Sequence, residues 1–223
     1  MKKQLIATTI IAIGLALFAK PTRSNSGGDG TARSGGQPRP YDSKVEYLQS
    51  TGSEAVIIPA SVANTITKYT FDCVYAAAPN QSVSISAGYL GLACYAGKYR
   101  CQWTRYGSYI TTIFATTRIT FELDMTAHTC SFFSASGELL ETATDGNIKP
   151  TSDIPIRLFG TTSAGMVSAQ ARVFGFVAYS GDSIALDLIP VRKDGLGYRY
   201  DKISGQLFGN EGTGAFVLGP DVP

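Results

Sequence analysis

The sequence predicts an all-β fold, a two-sheet antiparallel β-sandwich of the jelly-roll kind. Apolar and polar side chains alternate with period two from Lys68 onward, so that Tyr69, Phe71, Cys73 and Tyr75 fall on one side of a strand and Thr70, Asp72 and Val74 on the other. Turn-forming residues recur between such segments, including Pro79-Asn80, Ala96-Gly97, Ser136-Gly137, Asp145-Gly146-Asn147 and Ser180-Gly181-Asp182. No stretch of the domain carries a capped apolar pattern at helical spacing over ten or more residues, which excludes helical crossovers and a parallel α/β sheet. A closed barrel is the alternative architecture.

Taken from the N-terminus, residues 1 to 19 open with Met1-Lys2-Lys3 and continue as an apolar run from Leu5 to Ala19. A basic start and a short apolar middle make a secretory signal. Fifteen helical residues rise about 22 Å, short of the roughly 30 Å hydrocarbon core, so a transmembrane anchor is the second reading and a signal peptide the first. Residues 20 to 40 are rich in Gly, Ser and Pro and hold no aliphatic side chain larger than alanine. They cannot bury enough apolar surface to offset ordering, and are expected to be a flexible linker or tail. Residues 41 to 223 form one domain. Its expected strands are Lys68 to Tyr75, Ser82 to Ala87, Lys98 to Thr104, Tyr109 to Phe114, Arg118 to Leu123, Thr129 to Phe133, Ile154 to Phe159, Arg172 to Tyr179 and Ile184 to Ile189.

The formal net charge of +2 arises in the leading segments, because residues 41 to 223 hold 13 Lys and Arg against 16 Asp and Glu. The domain is slightly acidic and has no basic run, which argues against a nucleic-acid partner. A membrane is met only through an uncleaved N-terminal segment. Export places the protein in the periplasm, at the cell surface or outside the cell.

Cys73, Cys101 and Cys130 lie in expected strands of an exported chain and Cys94 lies just before the Ala96-Gly97 turn; two disulfides are the expectation and four buried thiols the alternative. A four-residue loop from Ala96 to Tyr99 would set Cys94 opposite Cys101 on a hairpin and leave Cys73 to Cys130. A metal site is not expected, since there is no CxxC pair and a single histidine.

Catalytic motifs are missing. His128 sits where a turn is expected, no Gly-x-Ser-x-Gly occurs, and the glycines Gly91 and Gly97 before Lys98 have the wrong spacing for a phosphate loop, with Tyr99 where Ser or Thr is needed. Glu122-Leu123-Asp124 resembles the start of a sandwich-glucanase strand, but Thr126 and Ala127 stand where its further acidic residue would be. Glu122 and Asp124 are expected instead to face solvent, with Phe121, Leu123 and Met125 turned inward. No enzymatic activity and no cofactor are expected.

Two stretches carry a family resemblance. Tyr41-Asp42-Ser43-Lys44-Val45-Glu46-Tyr47-Leu48-Gln49-Ser50-Thr51-Gly52 resembles the opening strand of secreted and phage-associated bacterial domains of the concanavalin A-like, LamG-type superfamily. The segment from Asp187 to Asn210, followed by Gly212-Thr213-Gly214 and Phe216 to Gly219, resembles the C-terminal signature of the same group. Where related domains continue the opening strand with an aromatic and Asp-Thr-Gly, this chain has Glu54-Ala55-Val56-Ile57-Ile58-Pro59, so no ligand role carries over there. The resemblance implies a jelly roll in a superfamily that includes carbohydrate binders, adhesion modules, glycosidases and structural domains.

Within that frame Tyr99, Trp103, Tyr106 and Tyr109, interleaved with Arg100, Gln102 and Arg105, are the expected ligand-binding residues. Flat rings stack on sugar faces, while amide and guanidinium groups bond hydroxyls. Trp103 also suits the core, because Tyr99, Cys101 and Trp103 share one strand face. The segment Asp201-Lys202-Ile203-Ser204-Gly205 reads as a hairpin turn whose following strand covers a sheet edge. The expected function is a non-catalytic binding or adhesion module for a glycan; the alternatives are a structural or protein-interaction domain of an envelope or phage-derived assembly and, after it, a glycoside hydrolase.

Overall fold

The computed structural model describes residues 39–77, 81–150, 153–160 and 169–223. The expected export segment and nearly all of the linker lie outside the described residues. The strands are β1 (Ser43–Val45), β2 (Leu48–Gln49), β3 (Val56–Ile58), β4 (Lys68–Tyr75), β5 (Gln81–Ala87) and β6 (Leu90–Tyr95). They continue with β7 (Lys98–Gln102), β8 (Ser108–Phe114), β9 (Ile119–Asp124), β10 (Thr129–Ser134), β11 (Leu139–Thr144) and β12 (Ile156–Leu158). The last are β13 (Ala171–Ser180), β14 (Ser183–Lys193), β15 (Leu196–Asp201), β16 (Leu207–Phe208), β17 (Val217–Leu218) and β18 (Asp221–Val222). A single helical turn, α1 (Ala60–Ala63), links β3 to β4.

Two antiparallel sheets result, and the fold is a β-sandwich rather than a barrel. The larger sheet runs β11, β10, β9, β4, β13, β14, β1, β18, with β2, β15, β16 and β17 paired off this path. The smaller runs β3, β12, β5, β6, β7, β8. Alternation decides which face is buried: β4 turns Tyr69, Phe71, Cys73 and Tyr75 inward, and β9 turns Ile119, Phe121 and Leu123 inward with Glu122 and Asp124 outward. Ring pairs fill the interlayer, Phe121 with Phe132 at 5.3 Å, Tyr69 with Phe176 at 5.6 Å and Tyr75 with Tyr99 at 5.7 Å between centroids. Burying one such side chain contributes about 2–3 kcal/mol, and truncating Phe121 to alanine would cost about 3–5 kcal/mol.

Eight of the nine expected strands fall within two residues at both ends, while β14 runs to Lys193, four residues past the expected Ile189. β6 was not among them, because Gly91 and Ala93 weaken its β pattern. The bulge between Val83 and Ile85 on β5 explains the glycine: a Cβ at Gly91 would lie 2.0 Å from the Ile85 carbonyl oxygen. The turn at 201–205 forms as expected, with the Gly205 N–H donating to the Asp201 carbonyl at 2.8 Å, and β16 then pairs with β15. At the far side β18 pairs with β1 and ends the larger sheet.

The C-terminal loop is seated on the segment after β2. Glu54 is fully buried and accepts hydrogen bonds from the Ser50 hydroxyl at 2.9 Å, the Thr51 N–H at 2.7 Å and the Thr51 hydroxyl at 2.9 Å. Gly212 and Gly214 lie against this knot, where a Cβ would come within 2.0 Å of the Ser53 carbonyl oxygen and 2.6 Å of a Glu54 carboxylate oxygen. Neither contact was legible beforehand.

Candidate functional site

Strand parity divides the residues expected to bind a ligand. The hairpin of β6 and β7 closes through a two-residue turn at Ala96 and Gly97, both at positive φ (50° and 77°), as a tight hairpin of this twist requires. Tyr95 therefore faces Lys98, Cys94 faces Tyr99, Ala93 faces Arg100 and Leu92 faces Cys101. Tyr99 and Cys101 point into the interlayer, where Tyr99 is fully buried and donates its hydroxyl to the Thr117 carbonyl at 2.8 Å. Gln102 is buried and spends its amide on the Thr104 carbonyl. Trp103 packs against the core at the edge of a turn closed by its own N–H to the Gly107 carbonyl at 3.1 Å.

Of the remaining four, Tyr109 is half-buried and donates to Glu141 at 2.8 Å. Arg105 and Tyr106 are exposed at the tip of the turn between β7 and β8, the guanidinium 5.4 Å from the ring centroid. Arg100 faces outward. The seven residues thus do not share a surface, and the expectation of a single site over 99–109 is corrected: alternation sends Tyr99 to the core, and hydrogen bonds within the fold occupy Gln102 and Tyr109.

The expected cysteine pairing is corrected as well. All four cysteines are buried thiols. Cys94 is opposite Tyr99 rather than Cys101, because the turn has two residues and not four. Cys73 and Cys130 are separated by β9, with Cys73 on the rung of Ile119 and Cys130 on that of Leu123. Two strand spacings and four residues amount to about 16 Å, far beyond disulfide reach.

What the fold does bring together is an outward patch on β6, β7 and β8. Tyr95, Lys98 and Phe114 occupy one rung, and Ala93, Arg100 and Ile110 the next. Tyr95 is 41% exposed, Ile110 44% and Phe114 63%, high values for large apolar side chains on regular strands. The Arg100 guanidinium lies 5.3 Å from the Tyr95 ring centroid, and its Nε is buried without a hydrogen-bond partner. Exposed rings flanking an ammonium and a guanidinium can stack on the C–H faces of a ligand while donating to its hydroxyl or carboxylate oxygens. Arg100 alone was expected of this group. Tyr95 and Phe114 needed the register across the β7–β8 bulge, which a sequence does not display.

A groove of about 390 Å³ lies elsewhere, between Leu196, Tyr198, Asn210 and Phe216, floored by glycine backbone. The Asn210 amide is already engaged with Ala55, Gly212 and Gly214. On the outer face of β9, burial pushes the Glu122 carboxyl up, while Asp124 caps its own turn by accepting from the N–H groups of Thr126 and Ala127. His128 occupies that turn at φ 57°, with Nδ1 2.7 Å from the Ile148 carbonyl oxygen. Among the described residues no three His, Cys, Asp or Glu side chains gather as metal ligands, and no helix is long and apolar enough to cross a membrane.

No protein-family model matches this chain, and no curated protein matches it. The functional conclusion accordingly rests on the sandwich and on the chemistry of its surfaces.

Proposed function

We propose that this chain is an exported, non-catalytic binding module of the LamG-like jelly-roll type, and that it takes a surface or particle glycan on the outer face of β6, β7 and β8. One observation carries the proposal: the exposed Tyr95 and Phe114 bracket Lys98 on a single rung, with Arg100 beside them. A flat, ring-lined patch with two cations suits sugars bearing carboxylate or sulfate better than neutral ones. The resemblance of residues 41–52 and 187–219 to LamG-type domains supports the same class of ligand.

The test is a glycan array and affinity electrophoresis in acidic polysaccharide gels, with Tyr95→Ala, Phe114→Ala and Tyr106→Ala compared. Binding that falls at least tenfold in the first two and persists in the third supports this face. Binding lost only in Tyr106→Ala moves the site to the turn, and no binding by the parent protein removes the glycan. Leu139 and Leu140, both exposed on the edge strand β11, favour a second reading as a protein-interaction domain of an envelope or phage-derived assembly. Leu139→Lys would then abolish assembly while leaving the glycan screen unchanged.

A further inference from the structure

Cys101 and Cys130 come from opposite sheets and meet in the interlayer. Each is on an inward position of its strand and fully buried. The two thiols are near enough for each to shift the ionisation of the other, Cys101 upward and Cys130 downward. The buried Tyr69 hydroxyl feels the charge of both sulfurs and has no hydrogen-bond partner of its own, and Tyr69 shares the rung of Leu123 and Cys130 in the larger sheet. Opposite Cys101 on β8 is Tyr109, whose ring is 6.4 Å from Phe132, two residues beyond Cys130. The Tyr109 hydroxyl then reaches Glu141, which faces Phe132 from β11. At this level the two sheets are thus drawn together, and cysteine at both facing positions keeps the intervening side chains short.

We propose that Cys101 and Cys130 form a disulfide that staples the two sheets when the chain folds in the presence of a disulfide oxidant. In a cell this requires the export proposed above; the chemistry itself does not. Before the sheets close both thiols are open to oxidant, and the route through Cys130 is equivalent to that through Cys101. With oxidised glutathione as oxidant, the Cys130 thiolate attacks one glutathione sulfur, the glutathione disulfide breaks, and one glutathione thiolate leaves and takes a proton. Cys101 gives up its proton, and its thiolate attacks the Cys130 sulfur of the mixed disulfide, expelling the second glutathione. Two protein thiols are oxidised and one glutathione disulfide is reduced to two thiols.

Because both sulfurs are sealed in the folded sandwich, exchange takes place before the sheets close, and closure then shields the bond from reductant. Cys73 and Cys94 stay reduced in this scheme. Burial pushes both thiols up, Cys94 faces Tyr99 across its hairpin, and Cys73 faces Ile119 and Val173 within the larger sheet.

The experiment is to refold the purified full chain from denaturant with oxidised glutathione and, in parallel, with excess reductant. Thiols are then counted under denaturing conditions, and non-reduced peptides are mapped by mass spectrometry after acid quench. The expected result is two titratable thiols and a linked peptide pair containing Cys101 and Cys130. The oxidised form should melt roughly 10 °C above the reduced one, as closing a loop of about 30 residues implies. Cys94→Ser must keep the link, and Cys130→Ser must lose both the link and the difference in melting. Four thiols after oxidative refolding, or a link through Cys73 or Cys94, overturns the proposal, and neither outcome bears on whether the protein binds glycan.

Discussion

The Tyr109 hydroxyl on β8 donates to the Glu141 carboxylate on β11 at 2.8 Å, joining the last strand of the smaller sheet to the last strand of the larger. Glu141 also accepts from the N–H of Thr112 at 2.9 Å and from the Thr112 hydroxyl. Three donors from one edge strand thus converge on one carboxylate from the other. The sandwich is clasped on this side by side chains, where a barrel would be closed by main-chain ladders.

Glu141→Gln is therefore expected to destabilise the protein by about 1–2 kcal/mol in urea denaturation, since charge-assisted bonds become neutral ones. Burial by itself would raise the Glu141 carboxyl, but the bonds from Thr112 and Tyr109 outweigh it and the net shift is downward. A carboxylate lowered in the folded state stabilises above its unfolded pKa and ceases to do so as pH falls through the folded value. The gap between parent and variant should accordingly be full at neutral pH and close in acid. A gap that is constant with pH would show that the clasp does not act through the charge.

Glu54 extends the same physics to a buried position. Burial works to raise its carboxyl, yet the hydrogen bonds from Thr51 and Ser50 prevail and hold it at about 2, against an ordinary value of 4.5. Its contribution is complete above about pH 4.5 and lost between there and about pH 2. Glu54→Gln is expected to cost about 2–3 kcal/mol at pH 7 and to flatten the acid limb of the stability profile. Overlapping acid limbs for parent and variant would count against it.

Legibility in the sequence followed the range of the interaction. Alternation placed Tyr69, Phe71, Cys73 and Tyr75 inward and Glu122 and Asp124 outward, because the strand repeat is a local property. The same parity assigned Tyr99 and Cys101 to one face, but composition grouped Tyr99, Arg100, Gln102 and Tyr109 as one site when only Arg100 joins the exposed patch. Counting a two-residue turn at Ala96-Gly97 would have paired Tyr95 with Lys98 and moved Cys94 off Cys101. Phe114 opposite Lys98 depends on a bulge, Glu141 beneath Tyr109 on the approach of two sheet edges, and Cys101 against Cys130 on interlayer packing. None of these three has a sequence period to announce it.

Gly212 gives a steric test of how the C-terminal loop is seated. A Cβ there would come within 2.0 Å of the Ser53 carbonyl oxygen and 3.0 Å of the Glu54 Cα, both backbone atoms that cannot swing aside. Gly212→Ala should cost about 2–3 kcal/mol and open the loop to protease. Gly146→Ala, at a position where a Cβ meets nothing within 4 Å, should lie within about 0.5 kcal/mol of the parent. Equal effects of the two substitutions would refute the seating.

Arg199 is the largest fully buried side chain. Its Nη2 donates to the Val173 carbonyl at 2.7 Å, its Nε and Nη1 have no partner, and among the described residues no carboxylate forms an ion pair with it, Asp72 acting on it only from farther off; the Phe159 ring lies 5.7 Å away. Burial lowers its pKa to about 9 from 12.5. A base lowered in the folded state opposes folding while it is charged, and the penalty eases as pH rises above the folded value, because the unfolded chain then holds more protons. Replacing it by an unbranched apolar side chain removes that penalty and keeps most of the packing volume. Arg199→Met is expected to be at least as stable as the parent at pH 7, by up to about 2 kcal/mol, whereas Arg199→Ala should lose about 3 kcal/mol through the cavity it leaves. Denaturant unfolding of both variants decides the matter: if methionine destabilises as much as alanine, the guanidinium makes a favourable interaction that its single hydrogen bond and ring contact do not account for.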